Sequence, residues 1–283
     1  MKKIAVVTDS TACLNEELLK EHHIYVSYLA IVFGRDAYEE FRELSPAKFL
    51  ELSAAQKELP TTSQPAVGAT VALYEKILSE GYDEIIHLTL SSALSGTYGA
   101  AVSAAAMVDE KNIHVFDTKA YAYIQGALAI EAAKMAKAGE SIQDIKDCLV
   151  SLMKDMAFVT AIKDLTNLKK GGRISKFSAS LGSALQVKPI IGRNAEGGLE
   201  PLAKIRTFKK AINFLVEEAK KAGLNPEVDE IGILHMDNPE AAARLKEEVL
   251  AIYPGIAIVE LPLSLVLAIH AGPGAAAIGW LKR

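Results

Sequence analysis

Short apolar runs alternate with helix-like segments through the first half of the chain, and this alternation limits the fold more than any other feature. The runs Ile4–Thr8, Glu84–Leu90 and Ile113–Phe116 are rich in β-branched and aliphatic residues, as buried strands are. Helix start signals lie between them, such as Ser45 as a cap before Pro46 at the first helical position. Strands that alternate with helices predict a parallel sheet with helices on its faces.

The pattern changes after about residue 157. Gly197 and Gly198 separate two strand-like runs and so predict a hairpin, which pairs antiparallel strands. The turn Lys169–Ser175 is expected to lead into a helix, and further strands alternate with helices that start near Thr207 and Pro239. The sequence therefore predicts an α/β protein of two domains, residues 1–157 with a parallel sheet and residues 158–283 with a mixed sheet.

Composition and charge exclude several classes of protein. Half of the 283 residues are hydrophobic and only 6% are aromatic, so the interior is built from small and aliphatic side chains. Such side chains leave narrow spaces that suit an aliphatic ligand, and they suit tight helix–sheet packing equally well. The net charge of −4 and the lack of a long basic block argue against nucleic-acid binding. Cys13 and Cys148 form neither a metal-binding spacing nor a disulfide framework, and we expect no metal and no cofactor.

Two apolar segments bear on whether the protein is exported or enters a membrane. The first ends at Asp9 after only a few residues, which is typical of a strand rather than of a signal peptide. The second, Leu261–Trp280, is long enough to span a bilayer, but it contains Pro262, Pro273 and His270. A buried strand or helix followed by a turn and a strand explains it better. We expect a cytoplasmic protein without stable membrane insertion, and two lone cysteines fit a reducing compartment.

Polar residues cluster where the predicted parallel strands end, and ligands of open parallel sheets bind at that edge. The clusters are rich in hydroxyl groups and stand at helix starts, and both features suit an anion. Because no Lys or Arg accompanies them, a carboxylate fits better than a di- or triphosphate. The alternative is that each Ser or Thr only caps the following helix. The clusters are Asp9-Ser10-Thr11, Ser91–Thr97, Asp117-Thr118 and the loop Thr61–Gln64.

Motifs for other chemistries are missing from the sequence. It has no phosphate-binding Gly-x4-Gly-Lys-Ser/Thr loop, no His-Glu-x-x-His and no Gly-x-Ser-x-Gly elbow. Gly272–Ala277 matches a dinucleotide-binding pattern, but it leaves no room for the required βαβ unit. A hydrolase that uses Ser95 as nucleophile and His270 as base remains an alternative, although His270 fits a core histidine nearly as well.

Seven segments, in this order and at compatible spacing, together resemble the DegV family over essentially the whole chain. One position departs from the family pattern, since Gly99 stands where Asn is usual. This difference removes none of the hydroxyl groups that are expected to bind the ligand. The segments are Thr8-Asp9-Ser10, Pro60-Thr61-Thr62-Ser63-Gln64-Pro65, Leu90–Tyr98, Phe116-Asp117-Thr118, Lys170-Gly171-Gly172-Arg173-Ile174-Ser175, Lys188-Pro189-Ile190 and His270-Ala271-Gly272-Pro273-Gly274.

The resemblance implies a function and a site. Proteins of this family bind a fatty acid in a tunnel between two domains, and an ATP-binding kinase subunit phosphorylates the carboxylate. By motif, Thr62 and Ser95 match the hydroxyls that hold the carboxylate, so the first domain carries the head group and the second covers the acyl chain. Arg173 and His270 match positions near the head group. The remaining candidate neighbours of the head group are Ser10, Ser63, Gly96 and Thr97.

Burial of a long acyl chain supplies the affinity in this interpretation. A palmitate-like chain has about fourteen methylenes, each worth roughly 0.8 kcal/mol, or about 11 kcal/mol in total. Association and ordering oppose binding by several kcal/mol, which leaves submicromolar affinity attainable. The buried carboxylate must still be satisfied by donors, because an unpaired buried charge is very unfavourable.

A basic cluster offers a docking surface for the kinase subunit. Lys204, Arg206, Lys209 and Lys210 form the densest group of cations and lie beside the predicted hairpin. The alternative is an ordinary solvated start of a helix. A lipid carrier or sensor without a kinase partner also fits the sequence, since one chain does not reveal its partners.

Overall fold

The structure, a computed structural model, describes residues 2–56, 58–174 and 187–283. The chain divides into two compact units. Unit 1 comprises Met1–Met153 and the short segment Ser264–Val266, and unit 2 comprises Lys154–Leu263 and Leu267–Arg283. The chain therefore returns to unit 1 once before it completes unit 2.

Unit 1 contains a parallel sheet with strand order β2-β1-β6-β7 and a small antiparallel sheet with order β4-β3-β5. The strands are β1 Ile4–Asp9, β2 Ile24–Ser27, β3 Ala30–Phe33, β4 Asp36–Glu39, β5 Thr61–Ser63, β6 Glu84–Thr89 and β7 Ile113–Asp117. The helices are α1 Glu16–Glu21, α2 Pro46–Ala55, α3 Val67–Ser79, α4 Thr97–Val108, α5 Tyr123–Ala138 and α6 Ile142–Leu152.

Helices cover both faces of the parallel sheet, as the alternating pattern predicted. Ala5 and Val7 of β1 pack in one cluster with Tyr74 of α3 and Ala104 of α4. On the opposite side Thr8 accepts a hydrogen bond from Nε2 of Gln125 in α5, at 3.2 Å. Small side chains such as alanine allow this close approach of helix to sheet, which explains the composition of the first domain.

Unit 2 contains a mixed sheet, as predicted, with strand order β10-β9-β8-β13-β11-β12. Only β11 and β12 run parallel among its described pairs, and the predicted hairpin joins β9 to β10. The strands are β8 Ala157–Ala161, β9 Lys188–Arg193, β10 Leu199–Ile205, β11 Glu230–His235, β12 Ala257–Pro262 and β13 Ala276–Leu281. The described helices are α7 Thr166–Lys170, α8 Phe208–Ala222, α9 Pro239–Ile252 and α10 Leu265–Ala271.

Several expectations can be compared with these elements. The stretch Leu261–Trp280 contains the end of β12, followed by α10, a turn and β13. Of the two predicted forms, it is therefore the helix followed by a turn and a strand. Within the described part of the chain, no helix is both long and apolar enough to cross a membrane. The loop expected at Thr61 is the strand β5. The helix expected after the turn at Gly172 lies outside the described residues, and the lipid tunnel stays a prediction.

A buried polar pair lies inside unit 1. The Tyr74 hydroxyl is 2.6 Å from Nδ1 of His87, and both side chains are fully buried. Burial lowers the pKa of His87 to about 3, so its ring is neutral at physiological pH. The pair is therefore a neutral hydrogen bond within the core between α3 and β6.

We expect Tyr74→Phe to lower the free energy of unfolding by about 1–3 kcal/mol, because it leaves a buried ring nitrogen without its partner. Tyr25→Phe is the control, since the Tyr25 hydroxyl bonds Glu80 near the surface, where water can replace it. Urea denaturation of both variants measures the difference. Equal losses in the two variants would contradict a special role for the buried pair.

Candidate functional site

The loop that carries Thr62 is fixed by backbone pairing. Strand β5 runs antiparallel to β3, with Thr62 opposite Ile31, and Thr62 is half-buried. Ser63 is exposed and its hydroxyl donates to the carbonyl of Gln64 at 3.2 Å. Buried Pro65 then leads into α3. A three-residue strand therefore holds the Thr62 side chain at a defined position beside the start of a helix.

The loop that carries Ser95 is a tight turn between β6 and α4. The N–H of Ser91 donates to the carbonyl of Ala120 at 2.8 Å, and the Ser91 carbonyl accepts the Ser95 N–H at 3.2 Å. Oγ of half-buried Ser95 lies 2.9 Å from Oγ1 of Thr97 and accepts the Thr97 N–H at 3.3 Å. Ser95 thus supports the start of α4, as the capping alternative proposed. When Thr97 is the donor of the hydroxyl pair, the hydrogen of Ser95 is available to a ligand.

The two loops meet at Gly96. A Cβ atom at this position would lie 2.0 Å from Oε1 of Gln64, far inside van der Waals contact. Gly96 is therefore required for the side chain of Gln64 to lie across the turn. This contact brings the segment of Thr62 next to the segment of Ser95, and both belong to unit 1. The sequence named Gly96 as a neighbour of the head group but gave no sign of the contact with Gln64.

The other polar clusters at this sheet edge bond internally. Oδ1 of Asp9 accepts the N–H of Thr11 at 3.0 Å and its hydroxyl at 2.6 Å, and Oδ2 accepts the N–H of Leu90 at 2.7 Å. Burial raises the pKa of Asp9, and these hydrogen bonds oppose the rise. At the third strand, Asp117 accepts the Ser92 hydroxyl at 2.5 Å and Thr118 donates to Thr89 at 2.8 Å. These hydrogen bonds fix the loops at the carboxyl ends of the parallel strands.

Ser10 is almost fully buried and faces a carboxyl group that the sequence did not single out. Its Oγ accepts the N–H of Leu29 at 3.1 Å, and its hydroxyl hydrogen-bonds Glu40. Glu40 is fully buried, and Oε1 accepts the N–H of Val266 at 3.0 Å. Burial raises the pKa of Glu40 to about 7, although bonds from Val266, Ser10 and Ser264 lower it. Ser10 would have to leave Glu40 before it could donate to a ligand.

The backbone after β7 is strained beneath the Ser95 turn. Buried Ala122 has φ of 57° and ψ of −147°, a region that only glycine adopts readily. Lys119 also has a positive φ, of 49°. The segment is held in place by the bond from Ser91 to Ala120. Strained backbone of this kind clusters at functional sites, and here it supports one of the two candidate loops.

Arg173 and His270 lie in unit 2. A Cβ atom on Gly171 would lie 2.3 Å from Nδ1 of His270, so the glycine permits the ring to pack against the turn. Arg173 donates to the carbonyl of Gly171. Burial, followed by the charge of Arg173, lowers the pKa of His270 to about 4, so the imidazole is neutral at physiological pH. The two residues form one small group at the Gly171 turn, and their role near the head group stays a prediction.

The predicted docking residues are all on the surface of unit 2. Lys204 lies in β10, Arg206 follows that strand, and Lys209 and Lys210 are in the first turn of α8. Thr207 caps this helix by accepting the N–H of Lys210 at 3.4 Å. The cluster therefore exists as an exposed basic surface at a helix start.

Two other features of the described chain are separate from these loops. No group of three His, Cys, Asp or Glu side chains in it is placed to hold a metal ion. A surface cavity of about 800 Å³ over β2 is lined by residues such as Tyr28 and Arg42, and none of the predicted site residues lines it. Arg42 pairs there with Glu39 at 2.7 Å. This cavity is thus not the predicted carboxylate site.

Fold and loops together define a two-unit α/β protein that offers neutral hydroxyl donors at the carboxyl edge of a parallel sheet. The chain belongs to the DegV family, whose sequence profile, described as that of an uncharacterised DegV family protein, matches residues 3–283. Protein DegV of Bacillus subtilis is 38% identical over 281 residues, which cover 98% of each chain.

Solved structures of related proteins share the fold. A crystal structure of DegV from Bacillus subtilis, described as a fatty acid binding protein, matches with a TM-score of 0.89 at 38% identity and covers 100% of both chains. A DegV family protein from Thermus thermophilus, described by its fatty acid binding, matches with a TM-score of 0.91 at 28% identity, again over 100% of both chains.

We expect Glu40→Gln to change how stability depends on pH. The folded pKa of about 7 lies above the ordinary value of 4.5, so the contribution of Glu40 is fully present below pH 4.5 and is lost as pH rises through 7. At alkaline pH the variant should be more stable than the parent, on the order of 3 kcal/mol, and at pH 4.5 the two should agree. Urea denaturation across this range measures the difference, and a constant offset would contradict the assignment.

Proposed function

We propose that this protein binds one long-chain fatty acid, holds its carboxylate through the hydroxyls of Thr62 and Ser95, and presents it to a separate ATP-dependent kinase subunit. One observation carries the fatty acid: the full-length likeness to DegV of Bacillus subtilis, which is described as a fatty acid binding protein. The meeting of the two loops at Gly96 supports the choice of residues. In this proposal the chain is cytoplasmic and has no catalytic activity of its own.

Neutral donors suit a carboxylate that must later react or leave. The segments Thr61–Gln64 and Ser91–Thr97 contain no Lys or Arg, so they satisfy the head group without the strong attraction of a cation. Burial of the acyl chain supplies the affinity, at roughly 0.8 kcal/mol for each methylene. Ser63 and Gly96 are exposed, which leaves this edge accessible to a partner. A palmitate-like ligand fits this division between chain and head group.

The positions of the lysines in α8 support a docking role. Cations at the start of a helix oppose its dipole and destabilise it by about 0.3–1 kcal/mol each at the surface. Lys209 and Lys210 occupy that unfavourable place, and the first turn of α8 contains no acidic residue. Helix stability therefore does not explain them, whereas an acidic surface on the kinase subunit would. A carrier or sensor without such a partner would leave them unexplained.

A hydrolase based on Ser95 and His270 has less support. The hydroxyl of Ser95 pairs with that of Thr97, and a histidine with a pKa of about 4 is a weak base at neutral pH. Arg173 and His270 serve better in this proposal as neighbours of the head group, where a neutral ring and a cation add hydrogen-bond donors.

Lipid should remain bound to the protein through gentle purification. We expect native mass spectrometry to show one added mass of a long-chain fatty acid, and solvent extraction followed by mass spectrometry to identify it. Protein stripped of lipid should take up added palmitate in a one-to-one ratio. A mass without ligand, together with no uptake of palmitate, would remove the basis of the proposal.

Loss of either hydroxyl should weaken binding without unfolding the protein. A hydroxyl that donates to a buried carboxylate contributes about 1.5–3 kcal/mol, so Thr62→Val or Ser95→Ala should lower affinity roughly ten- to a hundredfold. The double variant should lose less than the sum if both groups contact one carboxylate. Fluorescent fatty acid titration gives the affinities.

Thr118→Val is the matched control, because this buried hydroxyl donates to the carbonyl of Thr89 within unit 1. It should lower the melting temperature and leave affinity nearly unchanged. The opposite pattern, stability lost and affinity kept in Thr62→Val and Ser95→Ala, would favour helix capping as their role.

Charge reversal in the basic cluster should weaken docking of the kinase subunit without unfolding the protein. Arg206→Glu with Lys209→Glu is expected to leave fatty acid affinity intact and to lower phosphorylation of the bound lipid by the kinase subunit. It should also raise helix stability slightly, since glutamate at a helix start is favourable. Lys220→Glu with Lys221→Glu, at the other end of α8, is the control and should not lower turnover. Unchanged turnover in the first variant would exclude this surface.

A further inference from the structure

Glu40 is a buried acid that lies outside the two loops of the candidate carboxylate site. Its side chain is fully buried, and Oε1 accepts the N–H of Val266 at 3.0 Å. The Leu265 N–H and the hydroxyls of Ser10 and Ser264 also stabilise its charge. All four are neutral donors. The second oxygen, Oε2, is buried and has no close hydrogen-bond partner among the described residues.

Three of these donors belong to one short segment. Ser264–Val266 is part of unit 1, although the chain on either side of it belongs to unit 2. Besides the bond from Val266 to Glu40, the Ser264 N–H donates to Sγ of Cys13 at 3.3 Å. Helix α10 starts at Leu265 and carries His270 one turn beyond Val266. Glu40 thus contacts the beginning of the helix on which a head-group candidate lies.

The turn that presents Glu40 is strained. Phe41 has a φ of 64°, which is an outlier for a bulky side chain, and 45% of its surface is exposed. Its N–H donates to the carbonyl of Leu44 at 3.2 Å, and the Glu40 N–H donates to Leu29 at 2.9 Å. Strained backbone persists where the surrounding structure fixes it. The turn therefore directs Glu40 inward at a cost in local conformational energy.

We propose that Glu40 is a positioning residue: its protonated carboxyl holds Ser264–Val266, and with it the start of the helix that carries His270, and ionisation loosens this segment. The groups that bond Glu40 are all neutral, so a buried charge there is unfavourable, and release of the segment to water relieves it. The hydroxyls of Ser10 and Ser264 can accept a hydrogen bond from the protonated carboxyl as well as donate to the ionised one. Gln reproduces this protonated form, because its amide nitrogen donates where the carboxylate would accept.

Glu40 changes its charge near neutral pH. Burial raises the pKa of Glu40 to about 7, so both forms are populated near neutral pH, with the ionised form above that value. The titratable groups that face this region from the end of β1 are Cys13 and Asp9, and burial raises the pKa of both. On the turn itself, Glu39 and Arg42 pair with each other at 2.7 Å. Glu40 is thus the group expected to switch near pH 7.

Hydrogen exchange of the ligand-free full chain tests the proposal. The protection factor of the Val266 amide, corrected for intrinsic exchange, should fall roughly fivefold to tenfold from pH 6 to pH 8 in the parent protein, because the exposed carboxyl of the open segment ionises more readily than the buried one. In Glu40→Gln it should stay near the pH 6 value of the parent. Amides of Pro239–Ile252 provide the internal reference. Glu39→Gln is the matched control and should keep the fall, because Glu39 pairs with Arg42 on the same turn instead.

An equal fall in Glu40→Gln, or no fall in the parent, would overturn the proposal. Should Glu40→Gln not fold, Ser264→Ala serves in its place. This variant removes one donor that lowers the pKa of Glu40, so the midpoint of the fall should move to higher pH. A midpoint that does not move would count equally against the role of Glu40.

The effect on ligand rests on the proposed function and is measured separately. Fluorescent fatty acid should bind the parent protein with an affinity that changes near pH 7, and Glu40→Gln should bind with a flat profile. If the affinity of the variant changed with pH as that of the parent does, Glu40 would not act on the ligand site. If the parent binds no fatty acid, the proposed function fails, and hydrogen exchange still decides the role of Glu40.

Discussion

The carboxylate of Asp9 joins the ends of the two central strands, and the rest of unit 1 depends on this connection. It accepts the N–H of Thr11, where the chain leaves β1, and the N–H of Leu90, where it leaves β6. A buried carboxylate with these donors is satisfied, whereas either loop alone would leave one of its oxygens without its backbone donor. The connection fixes where the loop after β6 begins and therefore where Ser95 lies relative to the sheet. Replacement by a neutral residue would loosen both strand ends together.

Several hydroxyl groups at this edge hold the loops in place. Those of Thr11, Ser92 and Thr118 bond within the unit, and their role is to shape the loops. Thr62 and Ser95 are half-buried and lie on loops that meet at Gly96. Loops fixed in this way would hold a ligand with one polar end at a defined place, as the proposed function requires.

Patterned elements could be predicted from the sequence, and contacts between distant segments could not. The strands β1, β6 and β7, the hairpin at Gly197 and the mixed second sheet all follow from apolar periodicity and turn residues. Strand β5 was missed because its three polar residues carry no strand pattern, and it forms only by pairing with β3. Glu40 was missed because its partner Val266 is 226 positions away. The assignment of Thr62 and Ser95 came from motif resemblance, since periodicity alone does not distinguish a ligand-binding hydroxyl from a helix cap.

The late return of the chain to unit 1 has a consequence for synthesis on the ribosome. Domains generally fold as they emerge, with the N-terminal part first. Here the donors of Ser264–Val266 reach Glu40 only after almost all of unit 2 has been made. Until then the nascent unit 1 contains an acid that has to remain hydrated, and the region around Cys13 stays open to solvent. Maturation of the first unit therefore waits for translation of the second, which couples two folding events that the order of the sequence would separate.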